Sequence, residues 1–531
     1  MTQDRFFGRK EYLDILEKRT RSLKEGYRQN IAILGDELIG KSSLVFNFLN
    51  KFCDTRIVIL YLEARPETLS SFARRFIGIL LYNFLTNSGL SLKEDLGFLL
   101  RKSSAYIPRT VEKARFILSA IDKRKKNNIF TELLSLPESV HEETGKYCVV
   151  ILDEFHHLEH MGIKALYTEW SKLLITQKTT MYIIISSMQF RARSILSKNL
   201  SLLFGNFQIF NIEPFDINTS GQYLEYRLGP LQITPGLRNF IVHFTGGHPF
   251  YLEIISEALL KSGQQERLDD ILEKLLFESS GILNQRFSGY LKRLLDSCQS
   301  QDCLSILYLI AQGRNKIKEI AHILRKPQKE ALARVNELLE LDVINRSADF
   351  LKINDRVFGF WLKFVYQERM QSLTFDAKNQ EMLLRQNLKN MIDEFMINSS
   401  KPIAQRLMEL LLLFGDDKVQ IERKKLRLDH FREIKTLAFC NRSLKDGLIG
   451  RSNDSTWILG FKKELLTEDD ITDFARECKK YRHKLQRKII FALKDIDANA
   501  RLRAMEEKIL TWDLSNLNQL LDLYSKPRII I

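Results

Sequence analysis

No apolar run in the 531-residue chain reaches about 18 residues, so no transmembrane helix is expected. The first stretch, MTQDRFFGRK, lacks the apolar region of a signal peptide. Cysteine is scarce: the six are Cys53, Cys148, Cys298, Cys303, Cys440 and Cys478, and no two form a CxxC pair. That excludes the common zinc and thioredoxin-like patterns and fits structural thiols in a reducing cytosol. Cys298 and Cys303 are the one pair close enough in sequence to suggest a metal site. HExxH is absent as well. A cytoplasmic protein with no membrane partner is expected.

What is present describes an ordinary globular chain, 44% hydrophobic and 28% charged. It is too long for one core, and three or four domains are expected. Lys and Arg number 81 against 66 Asp and Glu, a net charge of +15. Such an excess points to a polyanionic partner, nucleic acid before others. A basic but inert surface would give the same sum.

The organising stretch is IAILGDELIGKSSL, residues 31–44. Ile31 to Leu34 form a buried-strand pattern. GDELIGKS matches G-x-x-x-x-G-K-[ST] at Gly35, Gly40, Lys41 and Ser42, and an apolar helix pattern follows. Strand, glycine loop and helix together make a phosphate-binding loop. Backbone N–H groups and the helix N-terminus bind anionic oxygens there. Lys41 reaches the β- and γ-phosphates, the Ser42 hydroxyl ligates Mg²⁺, and Ser43 adds a nucleotide contact. ATP and Mg²⁺ are the implied cofactors.

Residues 147–154, YCVVILDE, deliver two carboxylates at the end of an apolar strand. Ligands of open α/β sheets bind beyond the strands' carboxyl ends. Asp153 is therefore the expected Mg²⁺ partner, and Glu154 the general base for water. His156, His157 and His160 follow. His156 and His160 share a helix face, but the nucleotide site already explains the local carboxylates, and a zinc role is not expected. The strand MYIIISS, residues 181–187, ends in two hydroxyls. Ser187 or Ser186 can sense a γ-phosphate, or simply bond the backbone.

Further blocks carry a family resemblance. Phe6-Phe7-Gly8-Arg9 precedes a helical pattern ahead of the loop, Thr245 to Pro249 read TGGHP, and residues 355–366 read DRVFGFWLKFVY. In this order, with the two nucleotide motifs, the chain resembles archaeal-type ATPases of the AAA+/STAND P-loop lineage. The resemblance implies that Arg9, His248 and Pro249 lie near the nucleotide. Relatives carry an arginine after the glycine of a block like Leu203 to Asn206; here Asn206 stands in its place. An arginine finger there is not expected, and Arg191 and Arg193 are weaker candidates.

Residues 303–353 read as three helices and a wing. Such a winged helix can enter a DNA groove or serve as an interaction module. Its third helix sets Lys329 and Arg334 against Glu330, Glu337 and Glu340, so it is not strongly basic. The tail resembles a PD-(D/E)XK nuclease-like domain that has lost its carboxylates. Gly447 stands where an Asp is expected, with Asp446 one residue early. Gly460 stands where Glu or Asp is expected, and only Lys462 remains. Two acidic groups and a lysine would be needed to hold Mg²⁺ and its water.

The expected fold class is an α/β P-loop NTPase core, a parallel sheet flanked by helices. A helical lid, a winged-helix domain and a C-terminal α/β restriction-endonuclease-like domain follow. The expected boundaries are 1–215, 216–285, 286–370 and 371–531. The expected function is an ATP-binding, ATP-hydrolysing switch or platform whose C-terminal modules bind DNA or a protein; a homo-oligomer is an option. The alternative is an ATP-gated nuclease. DNA would be held through phosphates by Arg423, Lys424, Lys425 and Arg427 and by Lys479, Lys480, Arg482, Lys484, Arg487 and Lys488. A solvated helix face reads the same way.

Overall fold

The structure is a computed structural model. It describes the chain except residues 1–5, 88–94, 124–127, 201–206, 230, 232, 264–266, 372–375, 422–423, 440–443, 445, 482–484 and 531, and the side chains of 371 and 377. Asn206, Arg423, Arg482, Lys484, Cys440 and most of the 123–128 basic run lie outside the described residues. The chain divides into two compact units, Met1–Pro214 and Phe215–Ile531. Among the described residues, no helix is long and apolar enough to cross a membrane.

The first unit is built on five strands: β1 (Ile31–Leu34), β2 (Ile57–Glu63), β3 (Tyr147–Asp153), β4 (Thr180–Ser186) and β5 (Gln208–Asn211). All pair in parallel, in the order β2-β3-β4-β1-β5. Successive side chains alternate between faces. Ala32, Leu34, Val150, Leu152 and Ile184 pack into one core, while Ile31, Ile33, Val149, Ile151 and Ile183 pack into the other. Both faces are covered, which is why the strands read as continuous apolar runs. Helices Lys10–Ser22 and Lys41–Lys51 supply residues to the second core.

Four helices lie between β2 and β3: Leu69–Asn87, Leu96–Ser103, Pro108–Asp122 and Ile129–Thr144. The last holds Pro137 inside it, a residue that ordinarily interrupts a helical pattern.

The second unit begins with helices Ile217–Leu228, Pro235–Thr245, Pro249–Ser262, Leu268–Leu276 and Ile282–Ser297. Helices Asp302–Ala311, Ile317–Ile323 and Gln328–Glu340 then lead into a hairpin of β6 (Ile344–Ser347) and β7 (Phe350–Ile353). This matches the helix–helix–helix–wing order read from sequence. In the aromatic block, Phe358 and Trp361 are buried, and the Trp361 indole donates to Asn284 Oδ1 at 3.0 Å. That block is core packing.

Helices Ala377–Ser400 and Ile403–Leu411 follow. Strands β8 (Asp417–Ile421) and β9 (Lys424–Leu428) pair antiparallel. A mixed sheet then runs β10 (Glu433–Ala438), β11 (Asp446–Arg451), β12 (Thr456–Lys462), β13 (Leu485–Ala492) and β14 (Leu510–Asp513), in that order. The first three are antiparallel and the last two join in parallel. Helices Glu468–Cys478, Ala498–Glu506 and Leu514–Leu523 connect and close it. The edge strand β14 lies between helices Ala498–Glu506 and Leu514–Leu523.

Candidate nucleotide site

The parallel register brings four strand ends to one edge. Leu34 aligns with Ser186, and Glu63 aligns with Asp153. The loop after β1 therefore opens beside the carboxylates that end β3. Gly40 has φ +95° at the helix start, a region that only glycine occupies cheaply. A Cβ on Gly35 would lie 2.5 Å from the Ile212 carbonyl oxygen. Both glycines are thus required by geometry.

Lys41 curls back over this loop. Its ammonium donates to the Gly35 carbonyl at 3.0 Å and the Asp36 carbonyl at 2.8 Å. Burial lowers its pKa, while Glu154, Asp153 and Asp36 hold it up. The Ser42 hydroxyl donates to Asp153 Oδ2 at 2.9 Å, joining residues 111 apart. Ser43 follows on the same helical turn. The Mg²⁺ and nucleotide expected from sequence are tested by this donor set. A hydroxyl and a carboxylate in contact, beside a buried ammonium and a loop whose glycines cannot carry a Cβ, fit a metal–phosphate group.

Asp153 has a partner that the motif did not reveal. The Tyr61 hydroxyl, from β2, donates to the same Oδ2 at 2.6 Å. Tyr61 packs on Phe46 with centroids 4.8 Å apart, and burial raises its phenol well above the usual range, with Asp153 adding to the shift. Tyr61 thus occupies an oxygen that a metal or its water would use. Tyr61→Phe is expected to lower the Mg²⁺ concentration that saturates nucleotide binding roughly tenfold, since a hydrogen bond to a charged group is worth about 1.5–3 kcal/mol. A fluorescent-nucleotide titration at stepped Mg²⁺ measures it, and an unchanged or higher requirement contradicts it.

Glu154 sits in a left-handed conformation at φ 48°. Its Oε2 accepts from the Ser187 amide at 2.8 Å and from the Ser187 hydroxyl at 2.9 Å. Burial raises its pKa, against the hydrogen bonds from Ser187 and the charge of Lys41. Ser186 points elsewhere: its hydroxyl lies 2.9 Å from His156 Nδ1. Of the two hydroxyls, Ser187 is the one that meets the general-base candidate.

His156 is buried. Burial, then His157 and His160, hold its pKa down to about 3, so it is neutral at ordinary pH. The rings of the three histidines contact one another in series, at 4.2 Å and 5.4 Å. No group of three metal-ligating side chains occurs among the described residues. Cys303 meets both Cys298 and, at 3.5 Å, the Glu337 carboxylate.

Arg9, from the FxGR block, approaches the loop. Its guanidinium donates to the Glu213 carbonyl at 3.2 Å and stands 2.8 Å from where a Gly40 Cβ would be. Burial brings it down to about 10. Gln189, unmarked in the sequence, donates to Asp36 Oδ1 at 2.7 Å and tethers the loop to the helix after β4. Arg191 is paired with Glu159 at 2.6 Å, and Arg193 donates to Asn211 at 2.6 Å. His248 and Pro249 belong to the second unit. There His248 caps the helix that Pro249 starts, with its ring 4.8 Å from Tyr251.

In the C-terminal sheet, Gly447 pairs with Gly460. A Cβ on Gly447 would meet the Phe439 ring at 2.3 Å, and one on Gly460 would meet the Phe474 ring at 3.1 Å. These two rings pack edge to face, 5.7 Å apart. Asp446, one residue from Gly447, is exposed while Gly447 is buried, as strand alternation requires. The Lys462 ammonium is tied to the buried Asp470, which caps helix Glu468–Cys478.

Among the described residues, the basic side chains of this region do not form one open face. Lys424, Lys425 and Lys479 are exposed. Arg427 pairs with Asp416 at 2.9 Å, and Lys480 with Glu477 at 2.7 Å. Arg487 lies over the Trp457 ring at 4.4 Å, and Lys488 donates to the Glu507 carbonyl.

No family model and no curated protein matches the chain. Solved structures do. A Walker-type ATPase of Pyrococcus abyssi superposes with TM-score 0.51 at 19% identity, covering 67% of this chain and 96% of that one. The ORC2 protein of Aeropyrum pernix, in ADPNP–ADP complexes, gives 0.40 at 12% identity, covering 74% and 97%. DnaA of Aquifex aeolicus with AMPPCP gives 0.31 at 13%, covering 64% and 91%. The last two likenesses are too distant to carry an argument. The first concerns the fold, and it agrees with the strand order and loop geometry: the first unit is a P-loop NTPase core, followed by a unit that ends in a mixed-sheet domain.

Proposed function

We propose that the chain is an ATP-dependent switch or platform of AAA+/STAND type. ATP with Mg²⁺ binds at Gly35, Gly40, Lys41, Ser42 and Ser43, with Arg9 and Ser187 at the rim. The observation that carries this reading is the Ser42–Asp153 hydrogen bond at 2.9 Å. It puts the two motifs of a phosphate–metal site in contact, on a loop shaped for anionic oxygens.

Bound Mg²⁺ would neutralise phosphate charge and orient the terminal phosphoryl group. The chain's own groups do the rest. Lys41 exchanges its two loop carbonyls for phosphate oxygens. Ser42 and Asp153 present the metal's oxygen ligands. Glu154 accepts the proton of the attacking water once Ser187 has released or shared its carboxylate. No arginine finger is assigned, and slow turnover follows from that. The finer partition into core, lid, winged helix and tail, at 215, 285 and 370, belongs to this reading.

We read the C-terminal sheet, by its sequence resemblance, as nuclease-like and inactive. Support comes from the two glycines and the rings that fill the space above them. Restoring a carboxylate at Gly447 would require moving Phe439. The alternative, an ATP-gated nuclease, is tested by incubating the protein with plasmid DNA and Mg²⁺ or Mn²⁺. No cutting is expected, and metal-dependent cutting lost in Lys462→Ala would establish the alternative.

The net charge of +15 supports DNA as a partner, held through phosphates by the exposed Lys424, Lys425 and Lys479. Each contacted phosphate of duplex DNA releases counterions, so log affinity should fall with log salt at about −0.9 per contact. With Arg427, Lys480 and Lys488 engaged internally, the expected slope is shallow, about −3. A gel-shift series from low to physiological salt checks it. No shift at low salt would leave a protein-interaction module.

A further inference from the structure

The second unit contains a cavity of about 390 Å³ that the nucleotide site does not use. At its base is Asp522, 2% exposed. Three cations converge on that one carboxylate. Lys352, from β7, lies 2.6 Å from Oδ2. Arg528, from the chain's last stretch, lies 2.7 Å from Oδ2. Arg356 pairs with Oδ1. Burial opposes the charge, but Arg356, Lys352 and Arg528 together hold Asp522 well below the usual carboxylate range.

Lys363 and Lys526 add two more ammonium groups at this cavity. Lys352, Arg356, Lys363 and Lys526 line the cavity with the carboxylates Asp522, Glu394 and Asp355, and Arg528, held on Asp522 beside that lining, makes five cations against three carboxylates. Asp355 is itself engaged by the Tyr251 hydroxyl and the Phe358 amide, and burial raises its pKa. Even with all three ionised, positive charge exceeds negative by two. An uncompensated excess is costly away from bulk water. Yet Lys352 and Arg356 keep 33% and 21% of their side-chain surface open, because they face the cavity. A dianion would relieve the excess.

The other walls suit such a guest. The Phe360 and Phe364 rings, centroids 4.8 Å apart, give an apolar side, and Asn387 and Asn390 supply amides. The volume lies in the usual range for small-molecule sites, ~300–1,000 Å³, and is too small for duplex DNA. We propose that this cavity binds a small phosphorylated molecule, its phosphate held among Lys352, Arg356 and Lys363 and its body against Phe360 and Phe364. The site draws on β7, the aromatic block and the C-terminal segment at once, so occupancy would fasten these elements to one another.

The test uses the full chain carrying Lys41→Ala, which removes the phosphate-binding loop from the measurement. Pyrophosphate is titrated by calorimetry. One saturable site is expected, and Lys352→Met and Lys363→Met should each weaken it at least tenfold. Without ligand, Lys352→Met should melt no lower than its parent, since it relieves like-charge repulsion and leaves Asp522 two partners. If that variant fails to fold, Lys363→Met, outside the Asp522 cluster, decides alone. Absence of binding, or binding that neither lysine variant changes, overturns the proposal. So does displacement of pyrophosphate by a single-stranded oligonucleotide, which would make the cavity part of a nucleic-acid track.

Discussion

Glu154→Gln should bind ATP as the unaltered chain does and turn it over about 10²–10⁴-fold more slowly, the usual contribution of a positioned general base. The amide keeps the shape of the carboxylate and can still accept from the Ser187 N–H, now 2.8 Å away. It cannot take a proton from water. Burial raises the Glu154 pKa, and a base works only above its pKa. The acid limb of the pH–rate profile should therefore sit higher than an ordinary glutamate would place it, and vanish in the variant. Single-turnover hydrolysis across pH measures both effects. Unchanged turnover would move the base to another residue. Negligible turnover in the unaltered chain would describe a slow switch, in keeping with Asn206 at the arginine position.

Lys41→Ala should weaken ATP binding by on the order of 10²–10⁴-fold, because the ammonium supplies charge-assisted hydrogen bonds worth about 1.5–3 kcal/mol each. Two such bonds go to loop carbonyls in the present structure, and both donors are free to turn to phosphate oxygens. The fold should survive, since the carbonyls of Gly35 and Asp36 can reach water once the side chain is gone. Wild-type affinity in the variant would remove Lys41 from the site.

The local parts of this site were legible in sequence. Gly35, Gly40, Lys41 and Ser42 lie in one loop whose spacing is set by backbone geometry, and Asp153 and Glu154 end an apolar strand. Tyr61 was not legible. It reaches Asp153 across 92 residues, through the β2–β3 register, and no local pattern marks it. Gln189 was hidden for the same reason, joined to Asp36 over 153 residues. Ser186 and Ser187 stood equal in sequence; strand alternation sends one to His156 and the other to Glu154.

The tail shows the same division. Glycine at 447 and 460 could be read directly, but not that Phe439 and Phe474 fill the space beside them. The short β14 escaped because four residues between two helical patterns give too little periodicity to register. The excess charge around Asp522 was invisible because its members come from residues as far apart as 352 and 528.

The central claim is that the loop at 35–42 and the carboxylates at 153–154 form one nucleotide site. Equilibrium titration of the unaltered protein with a fluorescent ATP analogue, with and without Mg²⁺, tests it most directly. One saturable site, tightened by Mg²⁺ and emptied by competing ADP, is the predicted result. No saturable binding in the presence of Mg²⁺ would contradict the account.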